Sequence, residues 1–199
     1  MRSIVEARTG LEVRAVISNR PQAAGLEWAR GQGLATQVLD HREFPGRESF
    51  DARLAEEIEK RAPDYLILAG FMRIFTQGFV ERFPNRIVNI HPSLLPAFTG
   101  LHTHRRALAE GVKVHGATVH FVTPELDHGP IIIQGAVPVM DDDTEDKLAM
   151  RVLAVEHRIY PEAVRWLVDD RVELGADGRV RVKDAGDPRP FLVSPLECA

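Results

Sequence analysis

The sequence predicts an α/β fold, a single domain built on an open, doubly wound sheet, and three observations carry that prediction. The run at residues 65–69 is continuously apolar and another strand-like run follows at 87–90, as suits strands buried on both faces of a helix-covered parallel sheet. Such runs alternate with helical stretches in a strand, helix, strand rhythm, which is the mark of βαβ units. The chain has 199 residues, enough for one such domain with a sizeable core and too few to argue for two.

Taken in order, the first clear strand covers residues 13–18 and is followed by the turn-forming Asn19-Arg20-Pro21. A helix is expected over 23–30, stopped by Gly31 and Gly33. A second strand, 36–39, leads into a polar loop over 40–48. Ser49 is the expected cap of the next helix, whose Phe50, Leu54 and Ile58 recur at four-residue spacing on one face. Pro63-Asp64 ends it, and the runs at 65–69 and 87–90 follow as strands. Beyond residue 111 the pattern changes: 112–122 and 131–139 are extended and β-branched, separated by a turn-rich stretch, 124–130. They read as an antiparallel extension of the same sheet. Asp143 or Thr144 then caps a long helix with Leu148, Val152, Val155 and Ile159 on one stripe. Pro161 should kink or restart that helix before Val164 and Leu167. A short hairpin is expected around Ala176-Asp177-Gly178. The domain is taken as residues 1–182, with an irregular tail over 183–199 that holds three prolines.

Bulk properties exclude several classes of function. A net charge of −4 gives no reason to expect nucleic acid or an anionic membrane as partner. The single cysteine, Cys198, excludes a disulfide framework within the chain and suits a reducing cytoplasm. No apolar stretch approaches the roughly 20 residues of a membrane helix, and the first residues lack the apolar core of a signal peptide. A soluble cytoplasmic protein is expected.

The chemistry concentrates between residues 91 and 128, where His91, His102, His104, His115, His120 and His128 make six of the eight histidines. At the centre stands Asn89-Ile90-His91-Pro92-Ser93-Leu94-Leu95-Pro96. A polar pair leaving a buried strand sits where open α/β sheets bind ligands, outside the carboxyl ends of the strands. Strand alternation puts Asn89 and His91 on one side, and the two prolines stiffen the loop that follows. An amide and an imidazole so held can polarise a carbonyl and move a proton. Equally, Asn89 can tie a loop and His91 can be a buried, hydrogen-bonded core residue. Asp127, in the turn Pro124-Glu125-Leu126-Asp127-His128-Gly129-Pro130, shifts the balance, because an aspartate beside an imidazole favours the imidazolium. His102-Thr103-His104 is weak as a metal site: the cysteine is remote and no helical His-x-x-x-His with a nearby acid is present. No metal is expected. His115 and His120 read as lining or flanking a strand, and Asp141-Asp142-Asp143 as a solvated helix entry. Arg73, just after an apolar strand, can bind a carboxylate bidentately.

The segment 89–96, then Gly100-Leu101-His102-Thr103-His104, then His115-Gly116-Ala117-Thr118-Val119-His120-Phe121-Val122, resembles the signature of the phosphoribosylglycinamide formyltransferases. Residues 64–74, Glu125-Leu126-Asp127 and Glu156-His157-Arg158-Ile159-Tyr160-Pro161 match further segments of that family in order, so the resemblance runs from about residue 1 to about residue 172. It implies a Rossmann-like sheet of the formyltransferase type and transfer of a formyl group from 10-formyltetrahydrofolate to the amine of 5-phosphoribosylglycinamide, a step of de novo purine (IMP) biosynthesis. It implies Asn89, His91 and Asp127 as the catalytic trio. By the same resemblance the folate lies against Arg47, Met72, Arg73, Ile74, Phe75, Asn89 and the turn of Thr123, Pro124, Glu125, Leu126 and Asp127. Glu156 falls at the position that contacts the ribonucleotide's sugar hydroxyls. The implied partners are these two small molecules, with no metal, nucleic acid or membrane, and the implied assembly is a monomer or weak homodimer.

One departure matters. Members of the family open on a strand and a Gly-x-Gly-Ser-Asn loop that grips the substrate phosphate with backbone N–H groups at a helix N-terminus. Here the resemblance begins at Met1, and residues 1–7 match the helix after that loop. The strand is internal to the family's sheet, so a chain without it is expected to expose the edges of two neighbouring strands, to lose core, and to bind the ribonucleotide weakly. Translation from an upstream start, with Met1 an internal methionine, is the favoured explanation; a short chain that is a weak enzyme or a non-catalytic folate-binding remnant is the other. Formyltetrahydrofolate hydrolase and methionyl-tRNA formyltransferase share an Asn/His loop of similar form. The residues after Leu174 leave no room for the further C-terminal domain of the tRNA enzyme, the hydrolases carry an N-terminal regulatory domain, and Gly100-Leu101-His102-Thr103-His104 favours the glycinamide enzyme over both.

Overall fold

Helices and strands alternate through the first half of the chain, as its apolar runs require. The computed structural model describes residues 1–7 and 10–186. Helix α1 (Arg2–Glu6) precedes strand β1 (Val16–Ser18), helix α2 (Ala24–Gly31), strand β2 (Thr36–Val38) and helix α3 (Arg47–Glu59). Strand β3 (Leu66–Ile67), helix α4 (Gln77–Arg82) and strand β4 (Ile87–His91) follow, then helix α5 (Thr103–Ala109). The antiparallel strands β5 (Val114–Phe121) and β6 (Ile131–Pro138) come next, then the long helix α6 (Glu145–Val168) and a hairpin of β7 (Val172–Leu174) and β8 (Val180–Val182). The hairpin falls where Ala176-Asp177-Gly178 predicts it. The part of the predicted tail beyond residue 186 lies outside the described residues.

The sheet is not continuous. β1 pairs in parallel with β2 alone, whereas β3, β4, β5 and β6 form a separate four-stranded sheet. Within it β3 and β4 are parallel, and β4–β5 and β5–β6 antiparallel. Between β1 and β3 lies a cavity of about 870 Å³, lined by Ile17, Leu66, Leu68 and Phe79 among others. Each of these two strands turns one unpaired edge toward it. This is the arrangement expected of a sheet in which one internal strand position is unfilled, and it explains why β1 and β3 are so short. The runs at 13–18 and 65–69 are strand-like in composition, but a single neighbour supports pairing over three and two residues respectively.

Two apolar clusters stabilise the layers. One packs α6, through Leu148, Val152, Ile159, Ala163, Val164 and Leu167, on the face of β5 and β6 that carries Ala117, Val119 and Val137. The other joins Phe50, Leu54 and Ile58 of α3 to Phe79 and Val80 of α4 and Ile87 of β4. Each fully buried side chain of this kind contributes about 1.5–3 kcal/mol relative to exposure.

Three local expectations need correction. The cap of α3 is Gly46, and Ser49 sits inside the first turn with its hydroxyl donating to the Gly46 carbonyl at 3.0 Å. α6 runs unbroken through Pro161. Tyr160, Pro161 itself and Ala163 are buried in the core, so packing outweighs the missing N–H. Asp143 is not solvated: its carboxylate accepts two hydrogen bonds from Arg151, at 2.7 and 2.8 Å, and these hold its pKa down to about 2. Thr144 is the cap of α6, its hydroxyl accepting from the Lys147 N–H.

Gly135 of β6 shows how closely α6 approaches the sheet. A Cβ there would lie 2.2 Å from Val155 Cγ1 and 3.1 Å from Ile159 Cγ2. Gly135→Ala is therefore expected to lower stability by about 1–3 kcal/mol through overpacking, read as a fall in the urea midpoint. An unchanged midpoint would show that α6 can yield at this crossing.

Candidate active site

β4 delivers the two central side chains. Asn89 and His91 are two residues apart on one strand and so share a face. Across the β4–β5 ladder Asn89 stands opposite His120 and His91 opposite Thr118, which gathers four polar side chains on one patch of sheet. The opposite face, with Val88, Val119 and Phe121, packs into the α6 core. The polar face is thus turned toward the loops.

A network fixed by Thr118 holds the loop after β4. Its buried hydroxyl donates to the Ser93 carbonyl at 2.7 Å and accepts from the Leu95 N–H at 3.0 Å and from Gln134 Nε2 at 2.9 Å. Gln134 also donates to the Leu95 carbonyl, and the Ser93 hydroxyl donates to the Ala97 carbonyl. The chain then curls so that the Phe98 carbonyl meets His91 Nε2 at 2.9 Å.

The second loop supplies Asp127. Its Oδ2 lies 3.5 Å from His91 Nδ1 and accepts the Gly100 N–H at 2.8 Å. The backbone at Asp127 is left-handed, φ 56°, a conformation that aspartate tolerates better than most residues. Gly129 anchors the turn, because a Cβ there would come within 1.7 Å of the Phe121 carbonyl. The structure therefore brings Asn89, His91 and Asp127, 38 residues apart at the extremes, to one place.

Both ring nitrogens of His91 face oxygens that only accept, a carbonyl and a carboxylate. An imidazolium can donate to both at once; a neutral ring can donate to one. The Nδ1–Asp127 separation exceeds a normal hydrogen bond, which leaves Nδ1 room to engage a third oxygen placed beside it.

Around this centre His115 and His120 are buried and His104 is half-buried, while His102 and His128 are exposed. His115 is pushed down to about 4 by burial and by neighbouring His104, so it is neutral at pH 7. Burial also lowers the pKa of His104 and of His120. His120 uses Nδ1 on the Phe121 carbonyl at 2.8 Å, leaving a buried Nε2 without a partner. Both His115 and His120 lie on β5, as expected from the sequence. Among the described residues no cluster of three or more His, Cys, Asp or Glu side chains is placed to hold a metal ion.

The remaining predicted positions lie on other elements. Arg47 is exposed at the start of α3. Met72 and Ile74 are exposed on the loop after β3, at 75% and 52%. Between them Arg73 lays its guanidinium 5.2 Å from the Phe50 ring centroid, with Nε buried and unpartnered. Phe75 stacks between Phe71 and Phe79. Thr123, Pro124, Glu125 and Leu126 form the approach to Asp127. Glu156 is on α6 beside the amino terminus; burial raises its pKa and the Met1 ammonium opposes the rise. The large cavity between β1 and β3 is not lined by Asn89, His91 or Asp127.

Sequence reasoning missed Thr118 and Gln134, whose role depends on strand register, and Tyr160. The buried Tyr160 hydroxyl lies 2.6 Å from the Leu68 carbonyl and 3.0 Å from that of Val88, joining the end of β3 to the strand that carries Asn89. Only the β4–β5 register, invisible before pairing is known, puts Thr118 beside His91.

Residues 3–164 match the family described as Formyl transferase. The chain belongs to that family. It is 51% identical over 162 residues to phosphoribosylglycinamide formyltransferase of Escherichia coli (strain K12), covering 81% of this chain and 76% of the relative. It is 44% identical over 165 residues to the trifunctional purine biosynthetic protein adenosine-3 of Bos taurus, spanning 83% of this chain and 16% of that longer protein. The crystal structure of glycinamide ribonucleotide transformylase 1 from Symbiobacterium toebii superposes with a TM-score of 0.87 at 49% identity, covering 92% of this chain and 88% of that one. The resemblance drawn from the sequence motifs and the α/β architecture both stand within the family.

Proposed function

We propose that this chain is a phosphoribosylglycinamide formyltransferase, moving a formyl group from 10-formyltetrahydrofolate to the amine of 5-phosphoribosylglycinamide. The observation that carries the reading is the convergence of Asn89, His91 and Asp127 at the carboxyl end of β4, within a chain 51% identical to an enzyme of that name.

In this mechanism the neutral amine attacks the formyl carbon and the carbonyl oxygen gains negative charge. The Asn89 amide and the His91 Nδ1–H donate to that oxygen. The C–N bond to the folate nitrogen then breaks as a proton moves from the former amine to the leaving nitrogen, with His91 assisting. Asp127 faces Nδ1 and keeps the His91 ring in orientation. Preorganised donors of this kind act through electrostatics and positioning, with no covalent intermediate on the protein. The exposed Met72 and Ile74 suit the flat ring system of the folate, and the orphan Nε of Arg73 is a donor for one of its polar groups. The carboxylate of Glu156 suits the sugar hydroxyls of the ribonucleotide.

Formylation of 5-phosphoribosylglycinamide, followed by release of tetrahydrofolate, tests the reading. It is to be measured on the chain and on a version carrying an apolar strand and a Gly-x-Gly-Ser-Asn loop before Met1. Formyl transfer is the expected result. Release of formate alone would make the protein a hydrolase. A folded, extended chain saturated with both substrates that transfers nothing would leave only a folate-binding module.

A further inference from the structure

We propose that Arg106 is a positioning residue for the His91–Asp127 pair, acting through the short segment of Phe98, Thr99 and Gly100; the proposal rests on the formyl-transfer reading of that pair. The segment holds both partners at once. Its Phe98 carbonyl takes His91 Nε2 at 2.9 Å, and its Gly100 N–H donates at 2.8 Å to the Asp127 oxygen that faces His91. A shift of this segment moves the imidazole and the carboxylate together.

The segment cannot hold its shape from within. Phe98 has φ 55° and His102 has φ 57°, a region that side-chain-bearing residues seldom occupy unless tertiary contacts impose it. The contacts are identifiable. On the buried side the Phe98 ring meets His115 edge-on, with centroids 5.6 Å apart. On the solvent side the Arg106 guanidinium lies 5.6 Å from the Phe98 ring centroid, and its Nη1 donates to the Thr99 carbonyl at 2.5 Å. A planar cation can stack on a ring and bond a carbonyl at once, which an ammonium does less well. The platform is firm, because α5 is anchored by the buried Thr103 and Ala107. Arg106 is itself exposed, so its replacement leaves the core intact. The neighbouring Arg105 bonds Glu145 and does not touch the segment.

The test compares Arg106→Ala, Arg106→Lys and Arg105→Ala with the parent chain. Arg106→Ala is expected to lower kcat roughly tenfold, the scale of a sub-ångström misplacement, while KM for each substrate stays within about twofold of the parent. Lysine should restore part of the loss, and Arg105→Ala should behave as the parent. An unchanged kcat in Arg106→Ala would overturn the proposal, as would a loss that only tracks the folded fraction. A rise in KM with kcat intact would also overturn it, by making Arg106 a substrate contact. Amide exchange at Gly100 gives a readout that does not depend on turnover. It should quicken about tenfold or more in Arg106→Ala, since a lost restraint lowers the local opening free energy. Exchange as slow as in the parent would refute the strap even if the chain proved to catalyse another reaction, and faster exchange in a chain without formyl transfer would preserve the strap while removing the function assigned to the pair.

Discussion

Replacing His91 by alanine is expected to lower kcat/KM for formyl transfer by about 10²–10⁴-fold, the usual contribution of a positioned general acid–base group. The ring lies between the Phe98 carbonyl and Asp127 and is the group able to both donate to the developing oxyanion and pass a proton. Because His91 is buried at 6% exposure, truncation also leaves a small cavity. His91→Gln keeps most of the volume and should lose activity to a similar degree while retaining the parent's thermal midpoint more closely. Asp127→Asn should cost less than removal of the ring. It keeps the shape and the oxygen that accepts the Gly100 N–H, but gives up the negative charge that faces His91 Nδ1. The decisive measurement is single-turnover formylation at saturating concentrations of both substrates. If His91→Gln transferred the formyl group within about threefold of the parent, transition-state stabilisation by His91 would be ruled out, and Asn89 would have to supply it.

The parts of the fold that were legible in the sequence are those decided by local pattern. Apolar runs marked β3 and β4, the long stripe of Leu148, Val152, Val155 and Ile159 marked α6, and Ala176-Asp177-Gly178 marked the last turn. Pairing and tertiary override were not legible. Pro161 looked like a break because its local cost is large, yet a helix buried along one side has enough packing on either flank to continue. Asp143 looked solvated because it stands in an acidic run, and only the position of Arg151 two turns along α6 shows that it is paired. The proposed trio of Asn89, His91 and Asp127 was placed by motif, and Asn89 with His91 had a physical reason in strand alternation. The approach of Asp127 to His91 had none, since it depends on two loops separated by β5. Thr118 and Gln134 escaped for the same reason, since each acts on the backbone of a loop distant in sequence, and Arg106 escaped because it bonds a carbonyl of the loop before its own helix; no side-chain pattern along the chain records either.

A larger effect on stability is expected from filling the gap between β1 and β3. The two strands present parallel edges to a cavity of about 870 Å³, and Ile17, Leu66 and Leu68 along it are only partly buried. An apolar strand of about five residues, roughly 17 Å long, placed before Met1 and joined to α1 by a Gly-x-Gly-Ser-Asn loop, would hydrogen-bond both edges and merge the two sheets. The apolar side chains of the added strand and the newly covered faces of Ile17 and Leu66 would leave water, and the unpaired edges of β1 and β3 would gain ladder partners. The added strand should raise the thermal midpoint by several degrees, since about 1 kcal/mol moves a domain of this size by roughly 2–4 °C. The extension also turns the Met1 ammonium, part-buried with its pKa lowered by desolvation, into a neutral amide, and removes the charge that opposes the raised pKa of Glu156. With a glycine-rich loop leading into α1, backbone N–H groups would be offered to the phosphate of the ribonucleotide. KM for that substrate should therefore fall at least tenfold, while KM for the folate, proposed to lie against Arg47 and the loop of Met72 to Phe75, should change by less. A control extension with aspartate at two inward-facing strand positions should give neither effect. If the apolar extension left the thermal midpoint unchanged and the amides of β1 and β3 as quick to exchange as before, the cavity would not be a strand site. The short pairing of β1 and β3 would then be intrinsic to their own sequences.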